Sequence, residues 1–240
     1  MIGIRGFNVK KCRLCQRERA CSVYVKGIGY ICDNHFYSAH PYPSRNEEVR
    51  GTRKAKDTGD YTWGTELEFR SPSQEDKHIR TAIFARLLLR GFLPTEDATV
   101  SDCEMKSPIY LSRRSFTQSL RPIYKDYSDY LKTYLISSHI HVGVSSEEMN
   151  KIERAQSYLE DVVINRRLWG RDPNEFANQD DPNERYFFIN TLTGDLGTVE
   201  FRLPKITTYR QLLVVTLFIK KFIKDPFKFE DIQRRLVRKL

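Results

Sequence analysis

Residues 63–70 read Trp-Gly-Thr-Glu-Leu-Glu-Phe-Arg, and their alternation decides the fold. Side chains of a strand point to opposite faces in turn, so Leu67 and Phe69 share one face while Glu66, Glu68 and Arg70 share the other. The pattern recurs in Thr198-Val-Glu-Phe-Arg-Leu203, where Val199, Phe201 and Leu203 lie opposite Glu200 and Arg202. It recurs again in Ser138-His-Ile-His-Val-Gly143, with His139 and His141 together and Ile140 and Val142 facing away. A fourth strand is expected near Ser101–Ile109, with Glu104 and Lys106 on one face.

Amphipathic helices are expected between these strands. His78–Arg90 carries Ile79, Ile83, Phe84, Leu87 and Leu88 at helical spacing. Ser145–Trp169 opens with Ser145 and Glu148 as a capping box and is expected to run for about six turns. Thr207–Lys224 is apolar on most sides, which predicts burial, and residues 228–240 form a basic amphipathic end. Strands with one apolar face, covered by helices on that side only, define an α+β fold built on an antiparallel sheet.

The other face of that sheet then displays Glu66, Glu68, Glu104, His139, His141, Glu200 and Arg202. One such pair is an ordinary solvated face, but four strands with ionisable side chains two residues apart, each including a carboxylate or an imidazole, are not. Carboxylates on one surface repel unless cations intervene. Oxygen donors with some imidazole suit Mg²⁺ or Mn²⁺, ions that commonly accompany nucleotide phosphates. Arg202 either neutralises a phosphoryl group or pairs with Glu200 or Glu68 across the sheet. His139 and His141 either complete a metal site or anchor a neighbouring strand by hydrogen bonding. Neither GxxxxGK[ST] nor GxGxxG occurs, so a nucleotide must be held by the sheet face itself. Cys103, Trp63 and Trp169 read as packing residues.

The first 40 residues have a different chemistry. Cys12-Arg-Leu-Cys15 and Cys32-Asp-Asn-His35 are two ligand pairs, each with two residues between partners, separated by sixteen residues. That spacing predicts a zinc-knuckle or ribbon module around one structural Zn²⁺ over residues 1–40. Cys21 competes with His35 for the fourth position, and His40 is a weaker candidate. Between the pairs, Val23, Val25 and Ile31, with Gly27 and Gly29 bracketing a turn, predict a short hairpin. Residues 41–60 hold two prolines (Pro41 and Pro43), scattered charge and no apolar period, which predicts a basic linker ahead of a main domain over 61–240.

Charge follows the same division. Of the 240 residues, the first 56 hold twelve Lys or Arg against four acids, and the remaining 184 hold 28 against 27. A basic arm on a nearly neutral body suits a nucleic-acid or protein partner. Composition, at 40% hydrophobic and 30% charged, excludes a wholly disordered or collagen-like chain. Leu212–Ile219 runs into Lys220 and Lys221, short of a membrane span, and the opening MIGIRGFNVKKC lacks a signal peptide's apolar run. A cytoplasmic chain without membrane partners is expected.

Six segments in order carry a resemblance: Gly64-Thr-Glu66-Leu-Glu68-Phe, Asp97-Ala-Thr-Val, Glu104-Met-Lys-Ser107-Pro108, His139-Ile-His141-Val, Arg185-Tyr-Phe-Phe-Ile-Asn190 and Thr198-Val-Glu200-Phe-Arg202. Together, over about residues 61–225, they resemble the amidoligase family, carboxylate–amine ligases related to glutamine synthetase and glutamate–cysteine ligase, several of them from bacteriophages. The resemblance implies a curved, glutamine-synthetase-like sheet holding ATP and Mg²⁺. It implies Glu66, Glu68, Glu104 and Glu200 as magnesium ligands, and His139 or His141 beside them or on phosphate. Arg185 and Arg202 would stabilise the phosphoryl group or hold a substrate carboxylate, Asn190 would position nucleotide or substrate, and Asp97 would help deprotonate the amine. The substrates would be a small-molecule or peptide carboxylate and an amine, and the setting the host cytoplasm if the chain is phage-encoded. Ser137-Ser138 stands where relatives often have Cys-Gly. The alternative is a non-catalytic zinc-containing binding protein whose basic arm, with Arg50, Arg53, Lys54 and Lys56, engages nucleic acid or a host protein.

Overall fold

The computed structural model of the chain describes residues 61–95, 103–173, 177, 179, 187–191 and 197–240, and the backbone of five three-residue strands between residues 2 and 31. The expected zinc ligands Cys12, Cys15, Cys32 and His35, their competitors Cys21 and His40, the linker 41–60, Asp97 and Arg185 lie outside the described residues. Of the five short strands, β1 (Ile2–Ile4), β4 (Val23–Val25) and β5 (Gly29–Ile31) form one sheet in the order β1-β4-β5, and β2 (Val9–Lys11) pairs with β3 (Glu18–Ala20). The hairpin expected between Cys21 and Cys32 is therefore present, with Val23 opposite Ile31.

The main body is α+β, built on one six-stranded antiparallel sheet. Its strands are β6 (Thr62–Phe69), β7 (Leu93–Thr95), β8 (Cys103–Lys106), β9 (Leu135–Gly143), β10 (Ile189–Asn190) and β11 (Thr198–Phe201), in the order β10-β11-β9-β6-β8-β7. Register puts like with like across the strands. Leu67 faces Met105, Trp63 faces Val142, and Val142 and Ile140 face Val199 and Phe201. All seven are buried.

Helices cover this apolar face. Phe84 of α1 (Lys77–Leu88) meets Phe69 with ring centroids 5.2 Å apart. Phe116 of α2 (Arg113–Asp126) stacks on Trp63 at 5.9 Å. A short α3 (Ser128–Tyr134) leads directly into β9. Phe222 of α6 (Tyr209–Lys224) meets Phe201 edge-on at 5.7 Å, and Phe229, which opens α7 (Phe229–Val237), packs against Phe218, Phe222, Phe188 and Trp169. Each such ring would cost about 3–5 kcal/mol if truncated to alanine.

One expected helix is shorter than its pattern. The Ser145/Glu148 capping box forms, and Tyr61 also donates to Glu148, but α4 spans only Ser146–Glu160. A separate turn, α5 (Arg166–Trp169), follows, its first amides capped by the Asn165 side chain. The break is held from outside: the Val163 amide donates to Glu230, and the Asn165 amide to Gln233. Two side chains of α7 thus satisfy backbone groups that a continuous helix would satisfy internally. Among the described residues, no helix is long and apolar enough to cross a membrane.

Candidate metal centre

The polar face is a grid of three rows set by strand register. In the first, Gly64, His141, Glu200 and Asn190 lie side by side on β6, β9, β11 and β10. In the second, Lys106, Glu66 and His139 lie on β8, β6 and β9, and in the third Glu104, Glu68 and Ser137 do so. Below the third row the β6–β9 register shifts at Glu68/Phe69, a bulge that ends the regular pairing. A solvated sheet face would leave its carboxylates in water. Here Glu68, Glu104, Glu200, His139, Asn190 and Arg202 are all buried, and only Lys106, Glu66 and His141 keep partial exposure.

His139 is the centre of the grid. Its Nδ1 lies 3.3 Å from Glu200 Oε1, 3.6 Å from Glu68 Oε1 and 3.8 Å from Glu66 Oε2. The longer of these separations are loose for hydrogen bonds. They suit donors arranged around a cation, since bonds of about 2.1 Å put neighbouring oxygen and nitrogen ligands roughly 3 Å apart. Glu66, His139 and Glu200 in particular offer donor atoms that all lie within 4.8 Å of one another. Two carboxylates and one imidazole are a donor set that can hold a divalent cation.

The surrounding bonds fix those donors. Asn190 Nδ2 donates to Glu200 Oε2 at 3.1 Å, and Arg202 Nη1 donates to Glu200 Oε1 at 2.6 Å. Ser137 Oγ donates to Glu68 Oε2 at 2.6 Å. Arg202 thus makes the expected pair with Glu200, and Asn190 orients the same carboxylate. Glu104 is not in the three-donor group. It lies against Lys106, whose Nζ is 3.3 Å from Glu104 Oε1 and 3.1 Å from Glu66 Oε1. His141 stands at the rim, with Nε2 3.5 Å from Glu66 Oε2.

Charge is unevenly borne. Burial alone would raise the Glu66 carboxyl, but His141, His139 and Lys106 outweigh it and hold Glu66 well below the usual carboxylate range. Glu104 goes the other way: burial and the neighbouring charges of Glu66 and Glu68 push it up to about 7, against the pull of Lys106. His141 and Lys106 are both raised, since the carboxylates around them overcome the effect of burial. The Glu104 carboxyl is thus protonated more readily in the folded chain than in the unfolded one. Folding stability should therefore fall as pH rises from about 4.5 to about 7, by about 1–2 kcal/mol once solvent screening is allowed for. Urea unfolding of the metal-free chain at pH 5 and pH 8 measures this, and Glu104→Gln should shrink the difference, leaving the part that comes from the raised His141.

Three residues that sequence reasoning gave no role belong to the site. Lys106 carried a signal, since it lies two residues from Glu104 on one strand face. Ser137 was visible only as a departure from a motif. Arg171 had no signal at all: its guanidinium donates to the carbonyls of Arg202 (2.6 Å) and Leu203 (3.0 Å), and burial lowers it to about 10. Set against protein-family models, curated proteins and solved structures, the chain finds no match in any of the three.

Proposed function

We infer that the chain is an ATP-dependent carboxylate–amine ligase of the amidoligase type, with a curved glutamine-synthetase-like sheet. The observation that carries this reading is the convergence of half-buried Glu66 with buried His139 and Glu200 beside the Arg202 guanidinium. A divalent cation site next to fixed positive charge on a sheet face suits a triphosphate and the transfer of its terminal phosphoryl group. In the proposed reaction a substrate carboxylate displaces ADP from the γ-phosphorus to give an acyl phosphate. An amine then attacks the acyl carbon, loses a proton and expels inorganic phosphate, leaving an amide.

Within this scheme Glu66, His139 and Glu200 hold Mg²⁺, which when bound supplies positive charge to the phosphate oxygens. Asn190 and Arg202 hold Glu200 in place, and Ser137 holds Glu68. Lys106 and Arg202 add positive charge that is present at every stage. Asp97 is assigned to the amine proton and Arg185 to the phosphoryl group. The Cys12, Cys15, Cys32 and His35 zinc module is assigned to docking on a macromolecular partner.

Titration calorimetry with ATP, with and without Mg²⁺, tests the reading. The wild type should bind ATP only with Mg²⁺, and Glu66→Gln should weaken that binding about 100-fold while the fold is kept. Equal affinity in the variant, or no binding by the wild type, would count against a ligase site and turn attention to the basic arm as the functional part.

A further inference from the structure

We propose that Lys106 takes the place of a second divalent cation, so that this sheet face binds one metal ion per chain and not two. The inference rests on the metal centre described above and concerns the carboxylates beside it.

Glu66 divides its two oxygens between different neighbours. Oε2 faces the imidazoles, 3.8 Å from His139 Nδ1 and 3.5 Å from His141 Nε2. Oε1 faces Lys106 Nζ at 3.1 Å. Glu104 Oε1 lies 3.3 Å from the same Nζ, so two carboxylates of adjacent strands straddle one ammonium. Register explains the arrangement: Lys106 is directly opposite Glu66 on β8, and Glu104 is two residues back along the same strand and face. A carboxylate that spans two metal ions offers one oxygen to each. Here one oxygen of Glu66 faces the three-donor group and the other is already matched to a fixed positive charge.

A divalent ion shared by Glu66 and Glu104 would have to displace that ammonium or lie against it, where like charge repels. The ammonium also does part of an ion's work. It keeps two buried or half-buried carboxylates close together without a metal, leaving the imidazole side of Glu66, beside a Glu200 held by Arg202 and Asn190, to face the single ion.

The test counts Mn²⁺ bound to the full chain, with MnCl₂ as the only added ligand, by titration calorimetry and by electron paramagnetic resonance of free Mn²⁺. The wild type should bind one ion, Lys106→Met two, and Lys106→Met with Glu104→Gln one again. Lys106→Gln serves as a second neutral variant should Lys106→Met fold poorly, with the thermal melt of each as the check. Two ions in the wild type would overturn the proposal. So would a single ion in the folded neutral variants. No ion in the wild type but one in Lys106→Met would support the role of Lys106 and sink the Glu66–His139–Glu200 centre. No ion in either would sink both.

Discussion

Arg202→Met is expected to destabilise the chain by about 3–5 kcal/mol, because it leaves Glu200 as an uncompensated buried charge. The two side chains are 11% and 7% exposed, and their contact of 2.6 Å is a charge-assisted hydrogen bond. Without Arg202, Glu200 keeps the Asn190 amide but remains near His139 and the other carboxylates of the grid. It must then take up a proton or draw in water. The double variant Arg202→Met, Glu200→Gln should recover most of the loss, since a buried neutral amide needs no counter-charge. Urea unfolding of the two single variants and the double variant gives the coupling directly. A loss below about 1 kcal/mol would mean that water reaches the pair and that Arg202 is not a structural counter-charge.

The central strands were legible because their constraint is local. A strand buried on one face must alternate, and Leu67/Phe69, Ile140/Val142 and Val199/Phe201 do so against a polar set that includes all three proposed metal donors. Edge strands were not legible: β7 and β10 have three and two residues, too few for a period to appear. The pair α2 and α3 was missed for another reason. Phe116, Leu120, Ile123 and Tyr124 do mark a buried helical stripe, but Pro122 and a polar surface interrupt it in sequence. The overrun of α4 into 161–165 reflects a tertiary effect, since the groups that end it there, Glu230 and Gln233, are some seventy residues away.

The site divides the same way. Which residues share a face follows from a period of two and was readable. Which of them meet depends on register between strands, and that was not. Nothing in the local pattern says that Glu200 stands opposite His141 and diagonal to His139, or that Lys106 stands opposite Glu66. Glu104 was grouped with the other carboxylates by strand alternation and by the resemblance, whereas in the structure it stands opposite Glu68 and lies against the ammonium of Lys106, two residues on along its own strand.

Gly170→Ala should cost at least about 3 kcal/mol, although position 170 is remote from the grid in sequence. Gly170 ends α5 in the left-handed region, with φ near +82°, where an L side chain loses about 1–2 kcal/mol on backbone grounds. A second penalty is steric. A Cβ there would lie 2.1 Å from the Lys205 carbonyl oxygen, a backbone atom that cannot swing away, and 3.0 Å from Gln211 Nε2. Relief requires the 169–171 and 203–205 segments to part, although the Lys205 amide donates to the Trp169 carbonyl at 2.6 Å. The next residue is Arg171, whose guanidinium holds the carbonyls of Arg202 and Leu203. Displacement at Gly170 therefore reaches Arg202, and through its bond to Glu200 reaches the proposed metal donors. The variant should lose stability and also bind Mn²⁺ about tenfold more weakly under conditions where it is still folded. Arg171→Met, which removes the guanidinium clamp but leaves the backbone contact alone, should weaken Mn²⁺ binding with a smaller loss of stability, about 1–3 kcal/mol. If Gly170→Ala unfolds more easily but binds Mn²⁺ as the wild type does, the 169–171 segment supports the fold alone and Arg202 is positioned by the sheet.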